Sequence, residues 1–172
     1  MATNRNPDLI SAITTFLDAN DIRYDVDDDH GIVRTIMSLD DVAAVPRVGV
    51  IFDVWDDAFF VNTQPFMHDS IVGQVDIHDL DQVSDAMIFI TEANDRPAVH
   101  GHLRLDFSDG TVSSRTELYC GEFVPPTELI DFVFRASMFL WKLYGDEFEN
   151  TLHNGKSPLA AVEDAFRAVR ES

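Results

Sequence analysis

Two histidines separated by one residue are the strongest candidates for chemistry in this chain. His100 and His102 lie in a run whose apolar residues alternate with polar ones, which predicts a strand with one buried face. Asp109 and Gly110 predict a two-residue turn, and the resulting register places His102 opposite Glu117. Two imidazoles and a carboxylate on one face are typical zinc ligands. A small metal-assisted hydrolytic enzyme is therefore the alternative interpretation, although plain strand surface is the preferred one.

The same register predicts that two arginines face each other. Arg104 would stand opposite Arg115, and a like-charge pair in that position costs stability unless an anion lies nearby. Asp106, Asp109 and Glu117 can offset the charge, which is the structural interpretation. In the functional interpretation, the two arginines form a patch that binds an anion or a partner.

The other candidates for chemistry are weaker. Asp25, Asp27 and Asp29 alternate like the first ligands of an EF-hand loop, but His30 replaces the required glycine and Ile36 the required glutamate. These residues therefore predict a solvated turn.

The single cysteine, Cys120, has no activating base beside it and predicts a buried spectator. No nucleophile elbow, phosphate-binding glycine loop, dinucleotide fingerprint or His-Glu-x-x-His motif occurs in the sequence. We therefore predict no enzymatic activity, no catalytic residue and no cofactor.

Charge and composition limit the partners and the setting. The 172 residues include 31 acidic and 12 basic ones, for a formal charge of −19, so a phosphate backbone would be repelled. The longest apolar run, 129–143, is shorter than a membrane span, and the first residues lack the apolar core of a signal peptide. We expect one domain over residues 1–172, in the cytoplasm, bound to neither nucleic acid nor membrane.

Periodicity and capping residues predict helices and strands in a fixed order. The predicted elements are a helix over 7–19, strands over 22–26, 32–39, 48–55 and 58–62, a helix from 78 or 79 to 94, the two hairpin strands from 98 onward, a helix from 125 to 144 ended by Gly145, and a helix from 158. This order predicts an α+β fold in which helices pack on one face of an antiparallel sheet.

The helix before Gly145 carries more large apolar residues than one buried face needs. The terminal helix could cover the surplus, a second copy could cover it in a homodimer, or it could form a groove for a client protein. The candidate partner-binding residues are therefore Phe132, Phe134, Phe139, Trp141 and Tyr144 on this helix, together with Arg104 and Arg115 on the hairpin.

Several local motifs resemble those of one protein family. They are the opening helix followed by Ile22-Arg23-Tyr24-Asp25-Val26-Asp27, the strand end Phe60-Val61-Asn62, the hairpin at Asp109-Gly110 with the long helix after it, and the closing Asn154-Gly155-Lys156-Ser157-Pro158. The chain is similar in these respects to the YbjN-type proteins, also called bacterial sensory transduction regulators, whose fold is similar to that of type III secretion chaperones. The resemblance implies a small bacterial accessory or regulatory protein that binds another protein, with a chaperone-like role.

Overall fold

The computed structural model describes residues 6–40, 42–66, 73–96 and 100–171, which form four helices and six strands. The elements are α1 (Pro7–Ala19), β1 (Tyr24–Asp27), β2 (Ile32–Ser38), β3 (Arg47–Val54), β4 (Ala58–Pro65), α2 (Leu80–Asn94), β5 (His102–Leu105), β6 (Val112–Tyr119), α3 (Thr127–Asn154) and α4 (Pro158–Glu171). The strands form one antiparallel sheet in the order β1-β2-β3-β4-β6-β5, with β1 and β5 at its edges. The predicted α+β class is confirmed.

Local signals account for the first helix. The side chain of Asn6 accepts hydrogen bonds from the backbone N–H groups of Asp8 and Leu9, at 3.0 and 3.4 Å, and Pro7 occupies the first helical position. One apolar stripe, which includes Ile13 and Phe16, is buried. The predicted bounds of this helix, 7–19, are confirmed.

The core lies between the sheet and the helices. Alternate strand residues such as Val33, Val50 and Phe52 are fully buried, while their neighbours point to the other side of the sheet. Phe134 of α3 stacks on Phe52, with 5.7 Å between ring centroids, and meets Phe16 of α1 edge-on at 5.4 Å. Helices α1 and α3 are thereby joined to the middle of the sheet.

Buried hydroxyl groups fix α3 on the sheet. The Ser114 hydroxyl of β6 donates to the Ser137 carbonyl of α3 at 2.6 Å, and the Thr63 hydroxyl of β4 lies within hydrogen-bond distance of both. One turn earlier, the Thr116 hydroxyl donates to the Val133 carbonyl at 2.9 Å. These hydrogen bonds set the position of the helix along the strands, because an apolar contact alone would tolerate sliding.

Helix α3 runs ten residues beyond its predicted end. Gly145, predicted to terminate it, is buried in the middle of the helix, and a Cβ atom there would lie 3.0 Å from both Val42 and Val45. This glycine therefore provides space for the connection between β2 and β3. The left-handed C-cap is Gly155, with a φ of 67°, and α4 begins at Pro158 as predicted.

The hairpin turn also differs from its prediction. Strand β5 ends at Leu105, which pairs with Val112, so the connection spans residues 106–111. The Asp106 carboxylate accepts hydrogen bonds from the backbone N–H and the hydroxyl of Ser108, and its carbonyl accepts one from the backbone N–H of Gly110. This wider loop replaces the predicted two-residue turn and shifts the register by two residues. The predicted start of the first hairpin strand, residues 98 and 99, lies outside the described residues.

A distant segment pairs with the same loop. The backbone N–H of Val75 donates to the Gly110 carbonyl at 2.9 Å, and the N–H of Val112 donates to the Gly73 carbonyl at 2.7 Å. The chain before α2 is therefore attached to the loop end of the hairpin.

Candidate functional site

The helices leave one face of the sheet uncovered, and we call it the open face. It consists of the outward side chains of the strands together with Trp55 and Phe66, which continue the same alternation. Large apolar groups remain accessible there: Ile36 is 50% exposed, Trp55 45%, Phe66 37% and Tyr119 67%. A monomer rarely exposes so many large apolar side chains on one flat surface, so the open face is the leading candidate for a binding surface.

A groove crosses the β1–β4 half of the open face. It has a volume of about 600 Å³, and its lining includes Ile36, Ile51, Gln64 and Phe66. Gly49 lies between Ile36 and Gln64 in the sheet register and has no side chain to fill the space. The groove is open to solvent, and its size and largely apolar surface suit side chains of a partner protein.

The open face is nearly neutral in a strongly acidic chain. Its residues include five arginines, namely Arg23, Arg34, Arg47, Arg104 and Arg115. Its carboxylates are those of Asp25, Asp27, Asp53, Asp106 and Glu117. Five arginines against five carboxylates leave a formal charge of zero, whereas the whole chain carries −19. The repulsion that the rest of the surface exerts on other acidic proteins is therefore weakest here.

The observed register separates the pairs predicted on the hairpin. His102 stands opposite Arg115, and Arg104 stands opposite Ser113. The predicted pairing of His102 with Glu117, and of Arg104 with Arg115, is therefore wrong by two residues, because the loop is wider than a two-residue turn. The shift by two keeps all of these side chains on the open face.

The predicted histidines and arginines nevertheless line one pocket at the β5–β6 edge. It has a volume of about 200 Å³, and its lining includes His100, His102, Arg104, Arg115 and Glu117 on the strand side, with Phe132 on the helix side. The His100 ring meets the Phe132 ring edge-on at 5.1 Å. Among the described residues, no group of three or more His, Cys, Asp or Glu side chains is placed to hold a metal ion.

The five aromatic residues predicted to bind a partner divide into two sets. Phe134, Trp141 and Tyr144 are buried. The indole of Trp141 donates to the Thr63 carbonyl at 3.1 Å, and burial raises the pKa of Tyr144 to about 12. The prediction that these three residues contact a partner is therefore wrong, because the sheet, α1 and α2 already cover them.

Phe132 and Phe139 remain accessible. They are 50% and 40% exposed, and they line a second groove of about 390 Å³ with Arg135 and Ala136. The predicted surplus of apolar surface on α3 is therefore reduced to these two rings and Leu129, which is 39% exposed.

The remaining candidates for chemistry are satisfied within the chain. The His30 ring and backbone N–H both lie within hydrogen-bond distance of the Asp27 carboxylate, and the side-chain hydrogen bond lowers the pKa of Asp27. Cys120 is 1% exposed, and burial raises the pKa of its thiol. Neither residue has the arrangement of an activated ligand or nucleophile.

Sequence reasoning did not identify the groove or its apolar lining. Residues alternate along β2, so that Ile36 and Arg34 lie on one face of the strand and Val33 on the other. The missing information was which face the helices would leave open. A glycine at position 49, in the middle of a strand that is otherwise apolar, was the one local signal of a depression.

Comparison with protein-family models, with curated proteins and with solved structures finds no match to this chain. The resemblance to the YbjN-type proteins therefore remains a prediction. Within the described residues, no helix has both the length and the apolar character that crossing a membrane requires.

Proposed function

We propose that this protein acts by binding another protein through the open face, without catalysing a reaction. The observation that carries the proposal is an uncovered sheet face that is both apolar and nearly neutral, in a chain of charge −19. Association buries apolar area at little electrostatic cost on such a surface.

The size of the open face suits a protein partner. The sheet has 39 strand residues, and each occupies about 16 Å² of the sheet plane. The flat area of the sheet is therefore roughly 600 Å², and the protruding side chains increase the accessible area further. Specific protein complexes bury about 800 Å² on each partner. The open face and the adjoining rings of Phe132 and Phe139 together provide a surface of this size.

The resemblance to the YbjN-type family supports a role as a bacterial accessory or regulatory protein in the cytoplasm, with a chaperone-like mode of binding. The negative charge of the chain disfavours nucleic acid as the partner. A second copy of the chain could occupy the same surface, and the experiment below separates that outcome from a distinct partner.

The test compares two substitutions of exposed apolar residues by glutamate. Ile36→Glu places a charge in the groove, and Leu80→Glu places the same charge at the exposed start of α2, where the leucine is 79% exposed. Affinity-tagged wild type and both variants are used to capture proteins from a lysate of the source cells, and light scattering gives the mass of each purified protein. Circular dichroism checks that all three are folded.

We expect the wild type and Leu80→Glu to retain one protein in stoichiometric amount and Ile36→Glu to lose it. A dimer that Ile36→Glu dissociates would identify the partner as a second copy. The proposal fails if all three proteins are monomers that retain no stoichiometric partner, or if Ile36→Glu retains it as well as Leu80→Glu does.

A further inference from the structure

Positive charge is unevenly balanced along the open face. In the β1–β2 half, the guanidinium of Arg34 lies 3.8 Å from both the Asp25 and the Asp27 carboxylates. In the β5–β6 half, no ion pair joins Arg104 or Arg115 to a carboxylate of the described residues. The nearest carboxylates are Asp106, whose pKa is lowered by hydrogen bonds from Ser108 and also by the charge of Arg104, and Glu117, which lines the same pocket as both arginines. The chain has 31 acidic residues, so two neighbouring arginines without such a pair stand out as a place for an external anion.

Arg104 and Arg115 line the same pocket. His102 is directly opposite Arg115 and two residues before Arg104 on β5, so the three side chains project from neighbouring positions on one face. The Cβ atoms of such neighbours are about 5 to 8 Å apart, which long guanidinium side chains can bridge. A carboxylate in this pocket can therefore meet the guanidinium of either arginine.

Stacking holds one of the guanidinium groups in place. The Arg115 guanidinium carbon lies 3.9 Å from the centre of the Phe60 ring. A stacked guanidinium keeps its N–H groups directed outward in its own plane, where a planar carboxylate can meet them. Arg115 is thus preorganised for an anion that approaches along the sheet.

The adjoining pocket limits the size of the ligand and provides an apolar wall. Its volume of about 200 Å³ is smaller than the roughly 300 to 1,000 Å³ of typical cofactor and drug sites. Phe132, Val133 and Ala136 of α3 form the side opposite the arginines. A single side chain fits this space better than a whole small molecule.

We infer that the β5–β6 end of the open face binds an acidic segment of the partner protein, with a carboxylate on Arg104 and Arg115 and an apolar side chain against Phe132. This inference rests on the proposed function, since it assigns the partner's chemistry at one end of the same surface. A nucleic acid is a poor occupant, because its continuous phosphate charge would meet the acidic remainder of the chain.

The direct test uses a short synthetic peptide. A dye-labelled peptide that alternates three glutamates with three phenylalanines is titrated with the protein, and fluorescence anisotropy reports binding. The double variant Arg104→Gln/Arg115→Gln is compared with Arg167→Gln/Arg170→Gln, which removes the same charge from the exposed side of α4. The single variant Arg104→Gln covers the case in which loss of the Phe60 stack impairs folding.

We expect binding of this peptide to weaken about tenfold or more in Arg104→Gln/Arg115→Gln and to stay within about twofold of wild type in the α4 variant. Arg104→Gln alone should weaken it measurably. A peptide with glutamine in place of glutamate should bind no better to wild type than the acidic peptide binds to the double variant.

Three results would overturn the inference. They are equal binding by the two double variants, equal binding of the glutamate and glutamine peptides, and displacement of the peptide by millimolar inorganic phosphate, which would show a site for any small anion. The captured partner separates this inference from the proposed function. If Ile36→Glu loses the partner while Arg104→Gln/Arg115→Gln retains it, the inference fails and the function stands; if both retain it, the function fails as well.

Discussion

Replacing Gly110 with alanine should detach the hairpin loop from the segment that crosses it. A Cβ atom at this position would clash with the Val75 carbonyl oxygen, a backbone atom that cannot rotate away. The φ of Gly110 is 78°, in the left-handed region that side chains disfavour. The substitution is therefore opposed both by its own backbone and by its neighbour.

The expected cost follows from these two effects. Alanine in a left-handed conformation costs about 1 kcal/mol. Relief of the clash requires the Gly73–Val75 segment to move, which breaks the hydrogen bonds from Val75 to Gly110 and from Val112 to Gly73, each worth about 1 kcal/mol. We expect Gly110→Ala to lower the free energy of unfolding by about 3 kcal/mol, a large part of the roughly 5 to 15 kcal/mol typical of a domain.

Gly121 provides the matched control. Its φ is 60°, and no atom lies within 4 Å of the position its Cβ would take, so Gly121→Ala should cost about 1 kcal/mol through the backbone alone. Urea unfolding can be followed by tryptophan fluorescence, because Trp141 is 1% exposed in the folded protein, whereas Trp55, the second tryptophan, is already 45% exposed. We expect a gap of about 2 kcal/mol between the variants, or roughly 4 to 8 °C in Tm. If Gly110→Ala is no less stable than Gly121→Ala, the close packing of Gly110 against the Val75 backbone does not contribute to stability, and the reasoning is refuted.

Three further predictions concern the core, the helix pair and the thiol. Thr63→Val keeps the side-chain shape but removes the buried hydroxyl, so the free energy of unfolding in urea should fall by about 1 kcal/mol, with Thr63→Ser nearer to wild type. Lys156 joins α3 to α4 through Glu147 at 2.6 Å and Asp164 at 2.9 Å, so Lys156→Met should destabilise by about 1 kcal/mol at pH 7. Those hydrogen bonds raise the pKa of Lys156 in the folded protein. The ammonium therefore stabilises the fold at pH values below its unfolded pKa, and this stabilisation is lost as pH rises through its folded pKa. A difference in Tm between wild type and Lys156→Met that does not shrink between pH 8 and 12 would contradict this. Iodoacetamide should leave Cys120 unlabelled in buffer and label it in urea, because the thiol is buried with a raised pKa; rapid labelling of the native protein would show that the site opens.

Elements with signals in their own sequence were predictable. Asn6 and Pro7 start α1, Asp79 caps α2 and Pro158 starts α4, each as the sequence indicates. The long central helix was predicted too short. Gly145 is of a residue type that often ends helices, but here it lies inside the helix and allows close contact with Val42 and Val45, about 100 residues earlier in the chain. A local pattern carries no information about such a distant neighbour.

The sequence predicted which side chains of the candidate site share a strand face, but it did not predict their register or which face of the sheet stays uncovered. Alternation correctly grouped Arg104, Arg115 and Glu117 on one side of the hairpin. The register within that side depended on the Asp106 carboxylate and on pairing with the distant Gly73–Val75 segment, so the individual partners were misplaced. Which face remained open depended on where all four helices packed, and that is a property of the whole chain.

The short strands at the two margins of the sheet govern how this protein can aggregate. β1 and β5 have four residues each, whereas the strands between them have seven or eight. A short margin with charged residues such as Asp25 or Arg104 offers a poor template for another chain to add a strand. Growth into fibrils is thereby discouraged, so the protein can keep a broad apolar surface accessible without polymerising edge to edge.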